Sequence, residues 1–267
     1  MIEPISKISR MFIQNKFYRE YLRLLFLYSK VPRYQGRNIK FLEYEIFVPD
    51  CLSFIFQFKE IFVKQYYNFK TESKIPIIFD CGSNIGISVI FFKSVYKDSK
   101  IKAFEADKVI SEILRNNLIQ NKISGVEIIP KAVWTHNEGV EFYSDGADAG
   151  SIFGKSRKVL ADSIRLKEII DLEEKIDMLK LDVEGAETEV LVDIGDNLKK
   201  VDNLFIEFHS FKTHRQSLDM ILSILNQNNF RYFINSVYEK EMPFINKINP
   251  QNPDMDLQLN IFAYKSS

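Results

Sequence analysis

From Ile75 onward, short apolar runs alternate with stretches whose apolar residues recur every three or four positions. Residues 75–79, 100–105, Val126–Ile129, Ile176–Leu181 and 204–208 read as strands, because β-branched and aromatic side chains fit a pleated, buried surface. Between them, residues 86–96 (Ile87, Ile90, Phe91, Val95), 108–120 (Ile110, Ile113, Leu114, Leu118), Glu187–Ile194 and 215–225 carry the helical period. Strand–helix–strand repetition of this kind predicts a parallel sheet with helices on both faces, an α/β class. The rhythm then changes: 230–234 and 257–264 read as strands on either side of a Pro/Asn-rich loop at 242–255, which predicts an antiparallel finish.

Before residue 73 the pattern is different. Residues 5–30 read as a helix or helix pair, through Ile8, Met11 and Phe12 and then Tyr21, Leu24, Leu25 and Tyr28, ended by Val31-Pro32. Residues 38–48 alternate and predict one or two strands, and 53–67 resume the helical spacing with Ile55, Phe58, Ile61 and Phe62. An N-terminal helical/strand extension over 1–72 and one α/β domain over 73–267 follow as the expected organisation. Within the domain, 132–135 and 140–143 flank Asn137-Glu138-Gly139 and predict a hairpin, followed by a small-residue loop at 145–151.

Composition changes this picture little. The chain has 267 residues, zero formal net charge and a pI near 6.9, which argues against a dedicated nucleic-acid binder. Residues 1–40 nevertheless hold nine Lys/Arg against Glu3 and Glu20, leaving 27 basic and 34 acidic residues for the remainder. That basic, aromatic segment suits an anionic lipid surface, so peripheral membrane contact through residues 1–33 is one expectation; packing of Leu24, Leu25 and Tyr28 on the core is the other. Two cysteines, Cys51 and Cys81, form no disulfide framework and no CxxC metal motif, and no apolar run approaches the about 18 residues a bilayer span needs. A cytoplasmic protein is expected, peripheral at the inner membrane face where the basic segment attaches.

The chemistry begins at Phe79-Asp80-Cys81-Gly82-Ser83-Asn84-Ile85-Gly86, where a strand runs through an acid into a loop spaced D-x-G-x-N-x-G and then a helix. Glu105 ends the next strand, 19 positions after Gly86. A glycine loop after the first strand and an acid about 20 residues on is how a doubly wound sheet holds a nucleoside cofactor, the acid taking the ribose hydroxyls. The P-loop lysine is absent, and Gly82, Asn84 and Gly86 are evenly spaced, unlike the dinucleotide fingerprint. A carboxylate at Asp80 would repel a pyrophosphate but pair with an ammonium. S-adenosylmethionine carries that ammonium, a carboxylate for the helix N-terminus and a ribose for Glu105. The expected binding set is therefore Asp80, Gly82, Ser83, Asn84, Gly86 and Glu105.

A second constellation is Lys180-Leu181-Asp182-Val183-Glu184-Gly185-Ala186-Glu187, followed on the next strand by Glu207-Phe208-His209. Lys180 and Asp182 share a strand face, and Gly185 permits a turn into the next helix. These groups should gather at the carboxyl edge of the sheet, where open α/β sheets bind ligands. Methyl transfer needs alignment and an activated acceptor; His209, Asp182 or Glu184 would serve as base. Carboxylates suit a polyol acceptor, or a hard cation such as Mg²⁺ held by Asp182 and Glu207 if one is used. Each has a structural alternative: Lys180 as a buried ion pair with Asp80 or Glu184, Glu187 as a charge complementing a helix N-terminus, His209 as a hydrogen-bonded edge histidine.

These motifs, with Phe104-Glu105-Ala106, Lys131-Ala132-Val133 and Ile206-Glu207-Phe208-His209, resemble the FkbM-type methyltransferases over about residues 75–235. The resemblance implies a Rossmann-like class I methyltransferase sheet of seven strands with an antiparallel last strand. It also implies S-adenosylmethionine as donor, with Ala106 and Ala132 added to the binding set, and O-methylation of sugar hydroxyls on polysaccharides, glycolipids or natural products. Lys180, Asp182, Glu184, Glu187 and His209 become the catalytic candidates. Two rival functions are an NAD-dependent oxidoreductase or epimerase, against which the loop spacing and the missing Tyr-x-x-x-Lys speak, and a non-catalytic membrane-surface protein with a vestigial fold.

Overall fold

A computed structural model describes residues 15–144, 157–239, 241–247 and 252–265. The first helix, α1 (Lys16–Tyr28), starts where the Asn15 side chain accepts hydrogen bonds from the backbone N–H of Phe17 and Tyr18. A hairpin follows, β1 (Arg37–Phe41) with β2 (Tyr44–Val48), and then α2 (Cys51–Phe58), capped by Asp50 and continued by a π-helical turn, Lys59–Val63. Ile8, Met11 and Phe12 of the expected first helix, and the loop at 145–151, lie outside the described residues.

The main sheet has seven strands: β3 (Ile77–Cys81), β4 (Lys100–Phe104), β5 (Val126–Ile129), β10 (Ile176–Leu181), β11 (Val201–Phe211), β12 (Phe230–Ser236) and β13 (Met255–Lys265). Their spatial order is β5-β4-β3-β10-β11-β13-β12. Six strands run in one direction, five of them as parallel neighbours, and β13 inserts antiparallel between β11 and β12, as the sequence predicts for the finish. The first core strand begins two residues later than its apolar run. Pro76 has no N–H to give a ladder, and its carbonyl instead accepts from Lys100, so pairing starts at Ile77. This shift carries Asp80 inside the strand.

Helices α3 (Ile87–Val95) and α4 (Lys108–Gln120) pack on one face of the sheet together with α1, α2 and the hairpin. The opposite face carries α5 (Leu166–Asp171), α6 (Glu187–Ile194) and α7 (Leu218–Gln227). One buried cluster runs from Leu24 and Ile39 in the extension to Ile78, Phe91 and Phe205 beneath it, so the extension completes the core of that face. Asn117 on α4 and Asn121 at its C-cap pair with the N–H and C=O of Phe47 and Glu45 and so occupy the hydrogen-bonding groups of β2 that the hairpin leaves open. Asn117 also donates to Ile85 O, which ties the hairpin to the loop after β3. In the segment described for lipid contact, α1 buries Leu24 and exposes Phe26. Among the described residues no helix is long and apolar enough to cross a membrane.

The hairpin expected around Asn137-Glu138-Gly139 does not form. Its first half, β6 (Ala132–Trp134), pairs in parallel with β9 (Ser163–Arg165), and its second half, β7 (Val140–Ser144), pairs with β8 (Arg157–Ala161). The turn residues are diverted: Ser163 Oγ donates to His136 O and accepts from Gly139 N, while Asn137 Oδ1 accepts from Arg165 N. Long-range partners thus take the groups a tight turn would have used. Strands β8 and β9 and helix α5 have no counterpart in the reading of the sequence.

Candidate active site

The loop after β3 is held by the end of β4. The N–H groups of Gly82 and Ser83 both donate to Phe104 O, and Ser83 Oγ donates to Asp80 O. Asn84 has φ +47°, and its N–H donates to Glu105 Oε2 at 2.9 Å; Glu105 Oε1 accepts from Asp107 N at 2.9 Å. Burial pushes the Glu105 carboxyl up to about 7, against those two backbone bonds. Gly86 has φ +95°, a conformation that L side chains rarely adopt, and a Cβ there would press on Leu114 Cδ1 at 2.5 Å. Helix α3 begins directly after Gly86 with no side chain capping its first turn.

Asp80 is fully buried, and its Oδ2 accepts from Ser88 Oγ at 2.5 Å. Its other oxygen lies 3.3 Å from Lys180 Nζ. Lys180 thus gives Asp80 a cationic partner within the protein. Lys180 Nζ also lies 3.2 Å from Asp182 Oδ2 and donates to Gly82 O at 2.7 Å. Burial works against the charge on Lys180, but Asp182 and Asp80 outweigh it and hold the ammonium well above its ordinary range. The buried ion pair with Asp80 is real, and the one with Asp182 links the loop after β3 to the loop after β10.

That second loop turns through Glu184 (φ +54°) and Gly185 (φ +108°) into α6. Glu187, the first residue of α6, is buried and reaches back to accept from Gly185 N at 3.0 Å and Val183 N at 3.2 Å. The same Oε1 lies 3.0 Å from His209 Nδ1. His209 Nε2 faces Glu184 Oε2 at 3.5 Å and Glu207 Oε1 at 3.7 Å. Burial opposes a charged imidazole, but Glu184 and Glu187 override it, so His209 holds its proton well above its usual range. Burial and then Asp182 push the Glu207 carboxyl well up. Asp182, Glu207 and His209 each place a ligating atom within 4.8 Å of the others.

The extension adds groups that the sequence reading did not single out. Burial raises the pKa of Glu60, on the π-helical turn, against the opposing charge of Lys64, and the nearby Asp182 carboxylate adds to the rise. Tyr67 is buried with Lys180 Nζ 5.9 Å from its ring centroid. Tyr238, past β12, feels Glu207 and Glu60. Glu60 is the one acid in the apolar stretch Phe54–Val63, an interruption that could have marked it. Ala106 lies half-buried beside Glu105, and Ala132, at the start of β6, donates to Asp162 O. His136 and His214 are exposed.

A seven-stranded sheet in this order, with a glycine loop after its first strand and an acid ending the second, defines a class I methyltransferase fold. Residues 80–232 match the family described as the Methyltransferase FkbM domain, and the chain belongs to that family of S-adenosylmethionine-dependent methyltransferases. It is 28% identical over 190 residues to methyltransferase sdnD of Sordaria araneosa, covering 57% of this chain and 73% of that protein. Methyltransferase 1 of Beauveria bassiana (strain ARSEF 2860) is 25% identical over 177 residues, with 56% and 71% covered. A SAM-dependent methyltransferase from Agrobacterium tumefaciens shares the fold with TM-score 0.52 and 10% identity, over 89% of this chain and 72% of that one.

The residues present fit the family's donor. Each Glu105 oxygen binds one backbone N–H and keeps acceptor capacity for ribose hydroxyls. The uncapped first turn of α3 offers N–H groups to a carboxylate.

Proposed function

We propose that this chain transfers a methyl group from S-adenosylmethionine to a hydroxyl oxygen of a sugar or glycan. The observation that carries the reading is the convergence of Glu60, Asp182, Glu184 and Glu207 on the acceptor side of Lys180, with Tyr67 and Tyr238 among them. Carboxylates accept hydrogen bonds from the several hydroxyls of a polyol. The same acids would hold an amine as its ammonium, which has no lone pair for a methyl group. When bound, S-adenosylmethionine supplies an electrophilic methyl on a sulfonium sulfur.

The protein's part is alignment and proton removal. Lys180 clamps the donor loop at Gly82 to the acceptor loop at Asp182, fixing the two sides relative to each other. Glu207, whose proton affinity burial and Asp182 raise, takes the hydroxyl proton as the oxygen–carbon bond forms and the sulfur–carbon bond breaks. Glu187 orients His209 so that positive charge faces Glu184 and Glu207. The sequence left the base open among His209, Asp182 and Glu184; His209 holds its proton too tightly to begin as a base, and Glu207 takes that role. The test is a panel of neutral glycans and amino compounds offered with labelled donor: label is expected in the neutral glycans, and label confined to amines would reject the reading.

A further inference from the structure

Asp182, Glu207 and His209 converge in a way that a hydroxyl acceptor alone does not require. Their ligating atoms lie within 4.8 Å of one another on two different segments, the loop after β10 and two positions of β11. His209 offers Nε2 to that point because Nδ1 is 3.0 Å from Glu187 Oε1, and Glu187 is itself fixed by two backbone N–H groups. A carboxylate behind a histidine is the arrangement that orients metal-ligating imidazoles. The acids Glu60, Asp182, Glu184, Glu187 and Glu207 face two basic groups, His209 and Lys180, and Lys180 is already shared by Asp80 and Asp182.

An independent observation comes from β13. Asn260 is 1% exposed, and its Oδ1 has no hydrogen-bond partner, a costly state for a buried acceptor. Its register partner is Glu207, so both side chains stand on the same face, next to the Gln258–His209 pair. An amide oxygen is a ligand for a hard or borderline cation. Gln258 Nε2 now sits between the two β11 groups, donating to Glu207 and 3.3 Å from His209 Nε2. Exchanging the ends of that amide would turn a donor into one more oxygen ligand.

We propose that Asp182, Glu207, His209 and Asn260 form a binding site for one divalent cation of the Mn²⁺ type. Two carboxylates, an imidazole and an amide oxygen make a mixed oxygen/nitrogen set that suits such an ion. The cation would displace the proton that His209 otherwise keeps and would lie beside the acceptor, lowering the pKa of a coordinated hydroxyl. With the ion bound, that coordination takes over from Glu207 in freeing the hydroxyl of its proton. That use rests on the hydroxyl-transfer reading above; the binding itself does not.

The experiment is a titration of the chelator-stripped full chain with Mn²⁺, followed by the electron paramagnetic resonance signal of the free ion. Wild type is expected to take up one Mn²⁺ per chain, and Glu207→Gln to weaken it at least tenfold while still binding S-adenosylhomocysteine. Asn260→Asp, which replaces a neutral ligand by a charged one, is expected to tighten it and serves if Glu207→Gln does not fold. No stoichiometric uptake by wild type, or affinity unchanged in Glu207→Gln or Asn260→Asp, overturns the site. Uptake of Mn²⁺ without methyl transfer to any hydroxyl would leave the cation site standing and reject the acceptor reading instead.

Discussion

Gly82 packs so closely under Asp182 that a Cβ at Gly82 would come within 1.9 Å of the Asp182 carbonyl oxygen. The loop after β3 and the loop after β10 are therefore in backbone contact, and φ of +81° at Gly82 adds a second reason for glycine. Gly82→Ala is expected to destabilise the chain by about 2–4 kcal/mol and to abolish S-adenosylhomocysteine binding. Urea unfolding and calorimetry measure the two effects, and a variant that binds normally would contradict the contact.

Lys180 is the cation between two carboxylates, so its removal should cost more than its interactions are worth. Lys180→Met leaves Asp80 buried without its counter-charge, and a loss of about 3–5 kcal/mol is expected. Adding Asp80→Asn should recover part of that loss in a double-mutant cycle. Strict additivity of the two substitutions would show that the pair is not coupled.

Glu105 gives a pH signature with a definite sign. Its carboxyl, raised to about 7 from an ordinary 4.5, favours the neutral form in the folded chain. The folded state then binds more protons than the unfolded one between these values, so stability without ligand falls as pH rises across that window. A ribose hydroxyl donates best to the ionised carboxylate, so affinity for S-adenosylhomocysteine should rise as pH passes through about 7. Glu105→Gln should flatten both profiles, and an unchanged slope in the variant would exclude Glu105 as their source.

Glu60 comes from the extension, outside the family match. Glu60→Gln is expected to raise the acceptor KM about tenfold while leaving S-adenosylhomocysteine affinity within about twofold, the pattern of a lost ground-state contact. A fall in donor affinity with no change in acceptor KM would place Glu60 elsewhere in the cycle.

How much of this was legible in the sequence differs from element to element. Helix α4 and strands β5 and β10 match their expected bounds, because their periodicity is uninterrupted and their ends carry caps or turns. The insertion was misread because Asn137-Glu138-Gly139 has the composition of a turn, whereas Ser163 and Arg165, far along the chain, take its hydrogen-bonding groups. The loop 80–86 and Glu105 meet as their spacing implied, since strands β3 and β4 are neighbours. Asp80 pairs with Lys180, an alternative the side-chain alternation along β10 left open and the strand neighbours β3 and β10 decide. Asn260, Gln258 and Glu60 reach the site only through strand pairing or the packing of the extension, and no local spacing announces that.

The most direct test of methyl transfer to oxygen is the bond formed. Purified chain, S-adenosylmethionine labelled with ¹³C in the methyl group and a cell-surface glycan extract would be incubated, and the products resolved by carbon–proton correlation NMR. The account predicts label on a sugar oxygen, with one S-adenosylhomocysteine released per methyl and no transfer by Gly82→Ala. Label on nitrogen or carbon would contradict it.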